Sequence, residues 1–388
     1  MTQRRILFLA EGQLGDLLVL TPALRATKES FPSATIAVLA VERRILDSSK
    51  PDFNDLTPND EQRRACVLST NPHVDELYVL SRPSLRMLRG LARLRAELQI
   101  MNFLRRKQFD VVVSAFAEDR FTLWSFVSGA RVRVADRQQA LHRLLTHTIM
   151  TRRTDRGILE YYCDLVRALG ATVRTKHTEY RVPVECSAWA DETLKSVQPA
   201  RKIVVVLPGA SADYKAWPPE RFATLIDQIS RLDATVLLVY TKFDMAIVNA
   251  LRQKLKTTVL EIDTAHDIGN LAALLQRCVL CISNDSGPRH VAIALDVPSL
   301  SLIRQHHGRE WNVYEPSDTR VTLAGKDVCP VCPPNMCLDK TPDGERYATH
   351  CMRMIRVEDV IPQIERMLSR DHSERLKGDL RQNIGSLR

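Results

Sequence analysis

Short runs in which nearly every residue is apolar recur along this chain, separated by stretches where apolar residues return every three or four positions. "RILFLA" (Arg5 to Ala10), "TIAVLAV" (Thr35 to Val41), "ELYVL" (Glu76 to Leu80) and "DVVVSAF" (Asp110 to Phe116) are runs of the first kind. Such runs predict parallel strands buried on both faces, and the intervening periodic stretches, such as "TPALRATKES", predict helices. The second half restarts the pattern with the strands "KIVVVL", "ATVLLVY", "TVLEID", "VLCISN" and "PSLSLI". Between them lie the helices "PPERFATLIDQISRL", "DMAIVNALRQKL", "DIGNLAALLQRC" and "GPRHVAIAL". Repeated strand–helix alternation predicts an α/β protein with doubly wound parallel sheets and ligands at the carboxyl ends of the strands. Two rounds of it predict two Rossmann-like domains facing a central cleft. They are expected at residues 1–180 and 202–356, joined by a connection over 181–201. Residues 371–388 lack an apolar stripe and are expected to form a mobile tail.

Composition narrows the setting. A chain of 388 residues has two domains as its natural prior, and a hydrophobic fraction of 45% is enough to build both cores. No apolar run approaches the roughly 20 residues needed to span a bilayer. The start "MTQRRILFLAEGQ" has too short an apolar run for a signal peptide, so it reads as the first strand of a cytoplasmic protein. A net charge of +9 points to an anionic partner, which could be a phosphorylated small molecule, an anionic lipid or a nucleic acid. Nine cysteines without an export signal do not suggest a disulfide framework.

Three segments carry candidate chemistry. "EGQLGDLLVLTPALRATKESFP" runs from the first strand through Gly12 and Gly15 to Asp16 at the mouth of a helix. The glycine spacing is not that of a dinucleotide fingerprint, and Asp16 can be a helix cap or a base. In "LPGASADYKAWPPERF" a strand ends at Leu207, a small-residue loop holding Gly209 follows, and Lys215 stands ahead of the next helix. A lysine over loop N–H groups suits a diphosphate, although a solvated surface lysine is the plainer reading. In "CISNDSGPRHVAIALDVPSLSLI" a strand ends at Asn284 and Asp285-Ser286-Gly287 forms a turn. Pro288 then opens a helix whose first turn holds His290. Small residues there admit a ligand to the backbone, and the helix N-terminus favours phosphate.

Together these segments resemble glycosyltransferase family 9, the bacterial lipopolysaccharide heptosyltransferases, over nearly the whole chain. The Asn-Asp-Ser-Gly-Pro-x-His string with its downstream "AIALDVP" and the Pro-Gly-Ala…Lys-x-Trp-Pro string are its most specific parts. The resemblance implies a GT-B fold and an inverting, metal-independent transfer of heptose from ADP-L-glycero-D-manno-heptose. The implied acceptor is a lipopolysaccharide core, lipid A-Kdo or heptosyl-Kdo-lipid A. It implies an acceptor-binding first domain, with Asp16 as general base beside Gly15. Donor contacts are implied in the second domain at Gly209, Lys215, Asp285, Ser286, Gly287 and His290. The helix at 357–370 is implied to pack back toward the first domain. The chain departs from the family pattern at "RQHHGREW" (residues 304–311), at Arg289, where an apolar residue is usual, and at Glu11. An alternative within the family is another nucleotide sugar used on a different surface glycan.

Two further segments stand outside that core. Cys329, Cys332, Cys337 and Cys351 form a C-x2-C-x4-C-x13-C pattern, open to a structural zinc or to four reduced cysteines in a packed loop; His350 is a spare ligand. "RPSLRMLRGLARLRAELQIMNFLRRK" repeats leucines at 85, 88, 91, 94 and 98 among arginines. It reads either as a helix burying a leucine stripe or as a surface for an anionic lipid acceptor, with Arg86, Arg89 and Arg93 as contacts. The second reading would rest the protein peripherally on the inner membrane. A basic nucleic-acid-binding protein with a zinc knuckle is the alternative from another class, opposed by an aromatic content of only 6%.

Overall fold

The computed structural model describes residues 4–43, 52–151, 156–197, 202–212, 215–265, 267–304, 311, 313–325 and 350–369. The chain divides into two compact units, the first built on Met1–Val184 and the second on most of the remainder. Among the described residues each unit holds one six-stranded parallel sheet.

The first unit runs β1 (Arg5–Gly12), α1 (Leu14–Leu18), α2 (Thr21–Ser30), β2 (Thr35–Glu42), α3 (Asp60–Ala65) and β3 (Glu76–Ser81). It continues with α4 (Arg82–Met87), α5 (Gly90–Arg106), β4 (Val111–Ser114), α6 (Asp119–Val127), β5 (Val132–Asp136), β6 (His147–Ile149) and α7 (Ile158–Arg167). Its strand order is β3-β2-β1-β4-β5-β6. Ile6, Leu7, Phe8 and Leu9 of β1 are fully buried, as expected of a central parallel strand with helices on both faces.

The second unit contains α8 (Val184–Thr193), β7 (Lys202–Leu207), α9 (Pro219–Ile229), β8 (Ala234–Tyr240), α10 (Met245–Arg252) and β9 (Leu260–Asp263). There follow α11 (Ile268–Gln276), β10 (Leu280–Asn284), α12 (Gly287–Ala294), β11 (Ser299–Ile303), β12 (Arg320–Ala324), α13 (His350–Met354) and α14 (Val357–Leu368). Its order, β12-β11-β10-β7-β8-β9, repeats that of the first sheet. In each sheet the strand order reverses between the first and fourth strands, β1 and β4 or β7 and β10, which is where doubly wound sheets open a crevice at their carboxyl ends.

Several elements differ from the sequence reading. β5, β6 and β12 had no apolar run to announce them: β5 is half polar, β6 has three residues, and every residue of the edge strand β12 is only half-buried. The segment expected to be a connection contains α8, which Arg277 ties to the second unit through Asp191 Oδ1 at 2.5 Å and the Ser187 carbonyl at 2.9 Å. The leucine-rich basic segment is two helices, broken at Leu88 and Arg89, and Gly90, with φ +53°, opens the second. Its buried face is Ala96, Ile100, Phe103 and Leu104, leaving Leu91, Leu94 and Leu98 exposed. The last helix, expected to pack toward the first domain, buries its stripe in the second unit's own core. Val360, Ile364 and Met367 of α14 join Trp217, Phe222 and Ile226 there, and the helix packs on α9. The expected tail at 371–388 lies outside the described residues.

Candidate functional site

The second unit gathers one constellation at the ends of β7 and β10. Asn284, the fully buried last residue of β10, accepts a hydrogen bond from the Trp217 N–H on Oδ1 at 3.0 Å. Its Nδ2 donates to the Pro208 carbonyl at 2.7 Å and the Gly209 carbonyl at 3.4 Å. One amide thus clasps both ends of the loop that holds Lys215. Trp217 is itself anchored by its indole N–H on the Ile355 carbonyl at 2.9 Å and by an edge-on contact with Phe222. Gly209 must be glycine: a Cβ there would meet Asp244 Oδ1 at 2.1 Å. Asp244 cannot easily yield, because its Oδ2 accepts from the Thr241 N–H and hydroxyl, each at 2.9 Å.

Opposite this loop, Asp285, Ser286 and Gly287 lead into α12, with Ser286 as N-cap and Pro288 in the first turn. Ser286 Oγ is buried and has no hydrogen-bond partner among the described residues, so its side chain does not cap the helix. Arg289, where the family pattern has an apolar residue, is 1% exposed and pairs with Asp285 Oδ1 at 3.2 Å. His290 is buried, and its Nδ1 lies 2.8 Å from the Tyr314 hydroxyl. Burial first, then the Arg289 and Lys215 cations, pull its pKa down to about 3 against the opposing Asp285 carboxylate. The imidazole is therefore neutral at ordinary pH and offers a directed hydrogen bond rather than a charge. Lys215 stands in the loop that Asn284 clasps, where its backbone N–H donates to the Ala212 carbonyl at 2.9 Å. Lys215, Gly209, Asp285, Ser286, Gly287 and His290 thus come together around one crevice. Asn284 and Tyr314 complete it; Asn284 was legible as a strand-end polar residue, whereas nothing in the sequence marked Tyr314.

In the first unit Asp16 lies half-buried in α1, and its Oδ2 accepts from the Gln13 N–H at 2.7 Å. It is therefore a cap, and the cap fixes where the carboxylate points. The side chain folds back over Gly12, where a Cβ would stand 2.1 Å from Asp16 Cβ. Gly15 is buried within the same helical turn. At the same sheet edge a cavity of about 860 Å³ is lined by Arg43, Arg82, Pro83, Arg86, Met87 and Arg89. Arg93 does not line it; its guanidinium donates to the Leu85 carbonyl at 3.0 Å and pairs with Glu97. Glu11, at the end of β1, is buried and contacts Arg82, with Arg43 Nε at 3.1 Å.

Cys329, Cys332 and Cys337 lie outside the described residues, while Cys351 is buried in α13. Among the described residues no three metal-binding side chains gather, and no helix is long and apolar enough to cross a membrane.

The model of the family described as glycosyltransferase family 9 (heptosyltransferase) matches residues 98–330, more than half of the chain. Lipopolysaccharide heptosyltransferase 3 of Escherichia coli is 25% identical over 296 residues, covering 74% of this chain and 80% of that protein. The crystal structure of a family 9 glycosyltransferase from Veillonella parvula superposes with a TM-score of 0.73 at 22% identity, over 94% of this chain and 97% of that one. The E. coli ADP-heptose lipopolysaccharide heptosyltransferase II structure gives 0.69 at 18% identity, over 94% and 98%. The two Rossmann-like sheets are thus those of the GT-B heptosyltransferase fold.

Proposed function

The chain belongs to glycosyltransferase family 9, the heptosyltransferase family, and from that premise we propose that it moves a heptose from an ADP-linked donor to a lipopolysaccharide core acceptor. The observation that carries the reading is the crevice of the second unit, which lies within the family-matched residues. It joins a lysine, a small-residue turn, a helix N-terminus and a neutral buried histidine where the strand order reverses. A diphosphate fits these groups: α12 presents N–H groups to the anion, Lys215 supplies a point charge, and Gly209 lets the backbone come close.

In the proposed reaction an acceptor hydroxyl attacks the anomeric carbon from the face opposite the departing ADP, so the configuration inverts. As the new C–O bond forms, Asp16 takes the hydroxyl proton, and the pair of the breaking C–O bond passes to the diphosphate. Lys215 and the α12 N–H groups stabilise the charge that develops there, so no metal is needed in this scheme. The cap that holds Asp16 supports the base assignment, since a carboxylate with one oxygen fixed keeps the other in a defined direction. The acceptor is anionic and lipid-linked, and the first unit's arginine-lined cavity supports its binding there. Contact with the cytoplasmic face of a membrane is part of the proposal. It is supported by the exposed Met87, Leu91, Leu94 and Leu98 among the arginines of α4 and α5.

Asp16→Asn tests the reading, because Asn keeps an oxygen for the Gln13 N–H. Transfer from ADP-heptose to a lipid A–Kdo acceptor should fall by about 10²–10⁴-fold while ADP binding stays as in the parent chain. Turnover retained in the variant removes Asp16 as base. A thermal shift that selects another nucleotide sugar over ADP-heptose moves the donor assignment.

A further inference from the structure

We propose that the first unit's cavity is a phosphomonoester-binding site, built from Arg43, Arg82, Arg86 and Arg89 and positioned by the buried carboxylate of Glu11. The proposal rests on the acceptor reading above and specifies the group that the acceptor would present.

The cavity stands where the polypeptide leaves several adjacent strands. Glu11 is near the end of β1, Arg43 follows β2, and Arg82 to Arg89 follow β3. Glu11 is held in place by the arginines of this site. Its side chain is fully buried, contacts Arg82 and holds Arg43 Nε at 3.1 Å. Arg82 is 13% exposed and also pairs with Glu118 Oε1 at 3.1 Å. The Arg43 guanidinium lies 5.4 Å from the centre of the Phe116 ring, which fixes its plane. Two guanidinium groups are thereby oriented before any ligand arrives.

The charge balance is unequal. Four arginines line the cavity, while Glu11 and Glu118 are the carboxylates that pair with them among the described residues. Arg86 and Arg89 are exposed and make no ion pair there. Arg82 Nε is buried and has no hydrogen-bond partner among the described residues. Burial pulls the Arg82 pKa down, Glu118 opposes this, and the Arg86, Arg120 and Arg93 cations add to the lowering. A surplus of two positive charges matches a phosphate monoester, which carries about −1.5 to −2 near neutral pH. Guanidinium forks bind phosphate oxygens in pairs, and an open concavity of this size has room for a sugar phosphate.

The test uses the full chain and glucose 1-phosphate, titrated by phosphorus NMR, with methyl glucoside and glucuronate as uncharged and monocarboxylate controls. Saturable binding of glucose 1-phosphate is expected, and Arg86→Ala should weaken it roughly ten-fold or more. Arg95→Ala, an equal charge change at an exposed site on α5 outside the cavity, should leave it unchanged. Glu11→Gln raises the net charge by one, so simple attraction predicts tighter binding. The positioning role predicts weaker binding, by roughly five-fold or more, because two forks lose their anchor. Vesicles of phosphatidylcholine with phosphatidic acid then distinguish sources. Arg86-dependent binding to them assigns the phosphate to a lipid headgroup, and binding of glucose 1-phosphate alone assigns it to a sugar.

Equal losses from Arg86→Ala and Arg95→Ala, equal binding of glucuronate, or no saturation would overturn the site. Tighter binding by Glu11→Gln would overturn the role of Glu11. ADP-heptose binding is measured on the same samples. A chain that binds ADP-heptose but no phosphomonoester refutes this site alone, and the converse result refutes the proposed donor.

Discussion

His290 offers a quantitative test of the second unit's crevice. A buried histidine with a pKa of about 3 in the folded chain and 6.5 when unfolded binds its proton only in the unfolded state between those values. Stability must therefore rise with pH across that window and be lost as the medium is acidified from about 6.5 toward 3. Between pH 7.5 and pH 5 the loss from this one group is about 2 kcal/mol, at 1.36 kcal/mol for each unit of separation actually traversed. His290→Gln keeps a polar side chain near the Tyr314 hydroxyl but cannot take up the proton. Urea unfolding of parent and variant at the two pH values, followed by tryptophan fluorescence, isolates the effect, since all other titrating groups cancel in the difference. The parent should lose about 2 kcal/mol more than the variant. Equal losses would mean that His290 protonates freely in the folded state. It would then be a cation in the crevice, and the picture of a neutral hydrogen-bonding imidazole beside Arg289 and Lys215 would fail.

Two further substitutions probe the facing loop. Gly209→Ala drives a Cβ into the Asp244 carboxylate, 2.1 Å away and held by Thr241, and should destabilise the second unit by about 1–3 kcal/mol in urea unfolding. It should also weaken ADP binding, and an unchanged variant would show that the loop is free to move. Lys215→Ala should weaken ADP binding roughly ten-fold in calorimetry, with a shallower salt dependence, and unchanged affinity would return the lysine to solvent.

Central strands were easy to read because burial on both faces leaves an unbroken apolar run; β1, β4, β7 and β10 all show it. Those strands also end at the two crevices, so the glycines and small residues that follow them were visible as candidate sites. The edge strands β6 and β12 were not visible, because β6 has only three residues and β12, half-buried throughout, needs no apolar run. The fate of the leucines in α5 was hidden for a different reason. Their spacing of three and four fits a buried stripe, but Gly90 and the break after α4 turn another face, Ala96 to Leu104, onto the sheet. Pairing across distant segments was the least legible. Nothing near Glu11 names Arg82 and Arg43, and nothing near His290 names Tyr314, because sheet topology and not sequence proximity brings them together.

The repeated strand order makes the contrast between the two units a matter of loop chemistry. Both sheets open at the same topological position, and the residues after the homologous strands decide what each can hold. After β7 and β10 the chain has Pro208, Gly209, Ser286 and Gly287, which lower the backbone barrier to a ligand and leave α12 to meet an anion. At the ends of β1, β2 and β3 it has Glu11, Arg43 and Arg82, long charged groups that pair with one another. The first arrangement suits a diphosphate bound mainly by main-chain N–H groups, and the second suits a phosphate bound by side-chain forks. Main-chain sites tolerate side-chain substitution but not a Cβ at Gly209, whereas fork sites tolerate backbone change but not the loss of Glu11. That asymmetry is what the Gly209 and Glu11 variants measure, one in each unit.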